Sequence, residues 1–135
     1  MTQAYTQYIE RLGANFGKVA DHYHQNARLQ KQVALDLARQ FELMQLRPNT
    51  FLDLGCGSGF VMDALADYFP GASYCGVDLS LEMLGLCNND VFLMSRVVAD
   101  AHCLPFSHHS FECVVSNLML QWSTDIKSLL AETHR

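Results

Sequence analysis

At 135 residues, half of them hydrophobic and 17% charged, the chain has the composition of one globular domain with a real core and not of a disordered segment. No apolar run approaches the ~18 residues a membrane span needs, and the Met1-to-Gln7 start lacks the basic-then-apolar layout of a signal peptide. The expectation is a soluble, cytoplasmic protein with no membrane partner. Net charge is −5, split between +2 over residues 1–47 and −7 over the rest. A nucleic-acid partner calls for a basic excess that displaces counterions from phosphate, so nucleic acid is disfavoured.

The order of elements follows from periodicity. Residues 1–27 are polar with scattered aromatics (Tyr5, Tyr8, Phe16, Tyr23) and give no sustained period. From Ala27 to about Leu46, Leu29, Val33, Leu37, Phe41 and Met44 form one apolar stripe, which predicts an amphipathic helix ended by Pro48-Asn49. Phe51 to Leu54 reads as a buried strand, Phe60 to Phe69 as a helix stopped by Pro70-Gly71, and Ser73 to Asp78 as a second strand. Ser80 is placed to cap a helix reaching about Cys87. Strands three and four fall at Met94–Ala99 and Phe111–Ser116, and a last helix starts near Ile126 with Asp125 at its favourable end. Alternating strands and helices predict an α/β fold, a parallel sheet with helices on both faces. The division expected is a 1–46 cap segment with its helix, then a 47–135 α/β core. Four strands make a thin sheet for this architecture, and the fourth would be an exposed edge, so the sequence reads as cut short with its last strands missing.

Five cysteines without a CxxC pair, and histidines at 22/24 and 108/109 without helical spacing, predict reduced thiols and no metal site. The chemistry concentrates at Asp53-Leu54-Gly55-Cys56-Gly57-Ser58-Gly59, between the first strand and its helix. The glycines permit a tight turn and close approach of a ligand to the backbone. A dinucleotide fingerprint would place the third glycine one residue later, where Phe60 stands, and a phosphate-cradling loop would need Gly-Lys-Ser/Thr. A carboxylate beside a glycine turn suits an ammonium group. Asp78 closes the second strand, where an acid accepts from ribose hydroxyls, and Asp100 closes the third within reach of an adenine edge. Amino acid, ribose and adenine without phosphate describe S-adenosylmethionine.

With these motifs the sequence resembles the class I S-adenosylmethionine-dependent methyltransferases, which implies a Rossmann-like fold. Phe51–Phe60, Gly76-Val77-Asp78-Leu79-Ser80 and Asp100-Ala101 are similar to that family's first three motifs. The resemblance implies that Asp53, Gly55, Cys56 and Gly57 face the methionine part and Asp78 holds the ribose. Leu79 and Met83 would flank the adenine, and Asp100 with the Ala101 amide would read it.

A narrower resemblance, to the malonyl-acyl-carrier-protein O-methyltransferases of biotin biosynthesis, rests on two segments. One is Phe16-Gly17-Lys18-Val19-Ala20 with Tyr23, Ala27 and Gln30, and the other is Ser116-Asn117-Leu118-Met119-Leu120-Gln121-Trp122. It implies a malonyl-loaded acyl carrier protein as partner, Tyr23 and Gln30 in a covering segment, Asn117 on the cofactor side, and Gln121 and Trp122 towards the methyl acceptor. A malonyl carboxylate is ionised at neutral pH and needs no general base, so no catalytic acid or base is named. The residues leave open a methyltransferase for another small molecule, such as a quinone precursor or carboxylic acid, and an inactive remnant.

Overall fold

The computed structural model describes residues 2–87 and 94–135. Helix α1 (Gln3–Asn26) and helix α2 (Arg28–Leu43) precede strand β1 (Thr50–Leu54). Then follow α3 (Phe60–Ala66), β2 (Ser73–Asp78), α4 (Leu81–Gly85), β3 (Met94–Val98), β4 (Cys113–Ser116), a 3-10 turn (Leu120–Trp122) and α5 (Ile126–His134). The described strands form one parallel sheet in the order β3-β2-β1-β4, with Asp53 of β1 in register between Gly76 of β2 and Val115 of β4. Strand order reverses between β1 and β4, and in open α/β sheets the carboxyl ends at such a point form a crevice. Among the described residues β4 pairs only with β1 and is an edge, as its place in the sequence predicts.

Strand alternation divides the core. Phe51 and Tyr74 point to one face with α2 and α3, stacked at 5.3 Å and joined by Phe41 and Phe69. Leu52, Leu54, Cys75 and Val77 point to the other, packed with Leu104.

Three expectations are corrected. Gln3–Asn26 is not a loosely patterned segment but one long helix. Its apolar stripe is real (Tyr5, Ile9, Leu12, Phe16, Ala20, Tyr23), yet it is interrupted by Gly13 and Gly17 and answers to a cavity rather than a full core, so the period is diluted. The α2 stripe is rotated: Ala34, Ala38 and Phe41 are buried while Leu29 and Met44 are each 64% exposed, because small alanines let α2 lie close on α3. Helix α3 stops at Ala66 rather than Phe69, with the Phe69 N–H still donating to the Leu65 carbonyl at 2.9 Å. Ser80 does cap α4, accepting from the Met83 N–H at 3.2 Å, and Asp125 caps α5 through the Lys127 and Ser128 N–H groups.

Candidate functional site

A cavity of about 710 Å³, counting the space open to solvent, lies at the carboxyl ends of the strands and under α1. Its floor is the glycine turn. The Gly55 and Cys56 N–H groups both donate to the Val77 carbonyl, at 2.8 and 3.0 Å, which fastens the turn to the end of β2. Gly55, Gly57 and Gly59 have φ of 66°, 54° and 88°, the left-handed region where a side chain is strained. At Gly55 the Met119 side chain already occupies the room a Cβ would need.

Asp78 stands where the turn meets the cavity. Its two oxygens accept from the Gly57 and Ser80 N–H groups, each at 2.9 Å, leaving lone pairs for a ligand. Burial raises its pKa, and the N–H donors pull it partly back. Asp53, one strand away, is 1% exposed, and neither carboxylate oxygen has a hydrogen-bond partner. Burial first, then the nearby Asp78 charge, pushes its pKa up to about 8. A buried acid left unsatisfied costs stability, and a cationic donor would relieve it.

The far end is organised by Asp100. It accepts from the Tyr5 hydroxyl at 2.7 Å and from the His102 N–H at 2.9 Å, and it meets His102 Nδ1 at 3.0 Å. Burial works to raise its pKa, but these bonds prevail and hold the carboxyl below its ordinary range. His102 Nε2 reaches the Ser123 hydroxyl at 2.9 Å, so Nδ1 bearing the proton satisfies the whole chain. The roof is α1. Ile9, Leu12, Phe16 and Tyr23 line it, Phe16 meets Trp122 edge-on at 5.4 Å, and the Tyr8 hydroxyl donates to the Trp122 carbonyl at 3.0 Å. Gly13 lets the helix approach: a Cβ there would lie 2.9 Å from the Leu79 carbonyl oxygen.

Of the residues singled out in the sequence, Gly55, Gly57, Asp78, Leu79, Met83, Asp100, Ala101, Tyr23 and Trp122 line this one cavity. Asp53 lies behind its floor. Cys56 turns its thiol away towards Cys87. Asn117 and Gln30 meet each other instead of the cavity, the Asn117 side-chain amide donating to the Gln30 carbonyl at 3.0 Å, which ties the end of β4 to α2. Gln121 is exposed on the 3-10 turn. Sequence reasoning missed Tyr5, His102, Met119 and Ser123. Only the first had a usable signal, as the start of the α1 stripe; the others become neighbours through folding. Among the described residues no group of three His, Cys, Asp or Glu side chains is placed to hold a metal, and no helix is long and apolar enough to cross a membrane.

An open parallel sheet with a glycine turn and strand-end acids at its switch point defines the Rossmann-like class of ligand-binding domains. Within that class the chain belongs to the methyltransferase-domain family, whose sequence profile matches residues 52–135. It is 36% identical over 124 residues to a malonyl-acyl-carrier-protein O-methyltransferase of Halorhodospira halophila, covering 90% of this chain and 42% of the relative. A protein of the same name from Pseudescherichia vulneris is 37% identical over 125 residues, covering 92% of this chain and 48% of the relative. The chain thus spans about half the length of the curated relatives it matches. In fold it is similar to the plantazolicin methyltransferase BpumL, solved in complex with SAH. The TM-score is 0.69 at 20% identity, over 95% of this chain and 54% of that one.

Proposed function

We propose that this chain forms the S-adenosylmethionine-binding part of a methyltransferase whose acceptor is the free carboxyl of a malonyl group on acyl carrier protein. The observation that carries the reading is the meeting of a glycine turn, Asp78 and Asp100 around one cavity, with the unpartnered Asp53 carboxylate behind its floor. The residues fit the cofactor. Asp53 offers two unpartnered oxygens to the ammonium, Gly57 keeps the turn free of a side chain, and Asp78 keeps acceptor capacity for the ribose diol. Asp100 and the Ala101 amide serve the adenine, with Leu79 and Met83 against its faces.

When bound, the sulfonium supplies a methyl group that is already activated. The protein's own work is to hold, align and dry the site. Phe16, Met119 and Trp122 give the cavity an apolar side that excludes water from the reacting end. The malonyl carboxylate is ionised at neutral pH and needs no general base. The malonyl-carrier assignment is supported by the names of the relatives and by the Phe16–Gln30 and Ser116–Trp122 segments. Arg28, Lys31 and Arg39, all exposed on α2, offer a basic side to an acidic carrier, since steps of three and eleven residues from Arg28 keep them together.

Calorimetry with S-adenosylhomocysteine tests the first part, with saturable binding expected; binding of NAD in its place would overturn it. The acceptor is tested in a protein of the relatives' length by labelled methyl transfer. Reversing Arg28, Lys31 and Arg39 together should slow turnover of malonyl carrier protein and spare malonyl-coenzyme A. Equal loss on both would remove the carrier protein from the proposal.

A further inference from the structure

Two thiols that the proposed chemistry leaves unused meet beneath the glycine turn. Cys56 lies in the turn itself and Cys87 lies two residues beyond α4, and their side chains hydrogen-bond to one another. Both sulfurs also lie near one backbone oxygen, that of Gly57, at 3.8 Å for Cys56 and 3.4 Å for Cys87. Missing side chains make the space they share. A Cβ on Gly76 would come within 2.7 Å of the Cys56 sulfur, and a Cβ on Gly59 within 3.2 Å of the Cys87 sulfur. The other cysteines are differently placed: Cys103 is exposed, Cys113 half-buried, and Cys75 buried in the core on the opposite face of the sheet.

We propose that Cys56 and Cys87 are an oxidisable pair that closes to a disulfide with a peroxide as oxidant, and that closing it weakens ligand binding above the glycine turn. The pair is asymmetric, as such chemistry requires. The hydrogen bond from Cys56 holds the Cys87 thiol below its ordinary range. Burial opposes that shift and the Arg96 guanidinium adds to it, whereas the Cys56 thiol is pushed up by the same hydrogen bond and by burial. Cys87, the more acidic of the two, is therefore the attacking sulfur and Cys56 the resolving one. The Cys87 sulfur takes one peroxide oxygen as a sulfenic acid, and the other oxygen leaves as water. The Cys56 sulfur then displaces the sulfenic oxygen as a second water. In sum, two thiols and one hydrogen peroxide give one disulfide and two waters, with the thiols oxidised and the peroxide reduced.

The effect on the turn passes through Cys56. Closing the bond draws the two sulfurs from hydrogen-bond contact to covalent contact, and the Cys56 backbone must follow its sulfur. The peptide that joins Cys56 to Gly57 carries the N–H that meets Asp78 at 2.9 Å, so displacing Cys56 loosens that bond.

The chain is treated with hydrogen peroxide, unlinked thiols are blocked, and non-reducing peptide maps are read by mass spectrometry. The expected product is a Cys56–Cys87 linked peptide lighter by two hydrogens, absent from Cys87→Ser and Cys56→Ser and reversed by dithiothreitol. S-adenosylhomocysteine affinity, measured on the same samples, should fall about threefold or more on oxidation and recover on reduction. Peroxide chemistry confined to Cys103, or a linked pair with unchanged affinity, would overturn the proposal. The loss of affinity rests on the proposed function, whereas the linkage is read without any ligand. Reduced chain that binds no S-adenosylhomocysteine therefore counts against that function and against the affinity effect, while the peptide map still decides the disulfide.

Discussion

The floor and the roof of the cavity are built on different terms. The floor, from β1 through the glycine turn to the end of β2, is held by backbone hydrogen bonds to Val77 and by the Asp78 carboxylate, and most of its residues are buried. The roof, α1, buries only Gly13 and Ala20 and is fastened by a few side chains: Tyr5 on Asp100, Tyr8 on the Trp122 carbonyl, Phe16 against Trp122. Recognition groups sit where the backbone fixes them, and coverage is left to an element whose attachments are weak one by one. Changes to the floor should therefore cost binding and stability together, and changes to the roof should cost a fraction of binding alone.

The hardest test of that difference is Asp78→Ala. It deprives two N–H groups of an ionised acceptor, each bond worth about 1.5–3 kcal/mol, so S-adenosylhomocysteine affinity should drop tenfold or more with a clear fall in melting temperature. Unchanged affinity by calorimetry would move the ribose elsewhere.

Asp53→Asn should separate stability from binding within the floor. The unfolded carboxyl titrates near ~4, whereas the folded one holds its proton up to about 8. Between these values the native chain binds more protons than the unfolded chain, so stability falls as pH rises through the window and levels off above it. The asparagine substitution should flatten that slope and raise the melting temperature at pH 8 while weakening ligand binding. An identical pH profile for both proteins would show that Asp53 is already ionised in the fold.

The two α1 glycines sharpen the roof. Alanine favours a helix over glycine by about 0.5–1 kcal/mol. At Gly17 a Cβ meets the end of the Glu82 side chain, which can swing away at the cost of the bond it accepts from the Ser80 hydroxyl, so Gly17→Ala should be close to neutral. At Gly13 it meets the fixed Leu79 carbonyl at 2.9 Å, so Gly13→Ala should lift the helix and lower affinity by a few-fold. Equal melting and affinity for the two variants would mean that α1 does not lie closely on Leu79.

The last test of the roof is Tyr5→Phe, which removes one hydroxyl shared by Asp100 and His102. At about 0.5–1.5 kcal/mol per bond, affinity should fall roughly two- to tenfold with little change in melting. A large melting shift would make α1 part of the floor's folding unit.

Sequence alone determined the strand and helix order of the core, the Ser80 and Asp125 caps, and the placing of Asp53, Asp78 and Asp100 at or near the ends of three strands. These depend on local pattern: alternation, glycine spacing and the residue that ends each strand. It did not determine which acids face the cavity and which lie behind it. Asp53 and Asp78 look alike in the sequence, yet their places beside Gly76 and beneath the turn leave one unpartnered and the other doubly bonded. Tyr5 on Asp100 is a contact across 95 residues and Asn117 on Gln30 one across 87, and no periodicity encodes either. Helix α1 marks the boundary between the two kinds of knowledge. Its stripe is written in the sequence, but only packing over an open cavity, where a narrow face with two glycines suffices, decided that those residues would be one helix and a roof.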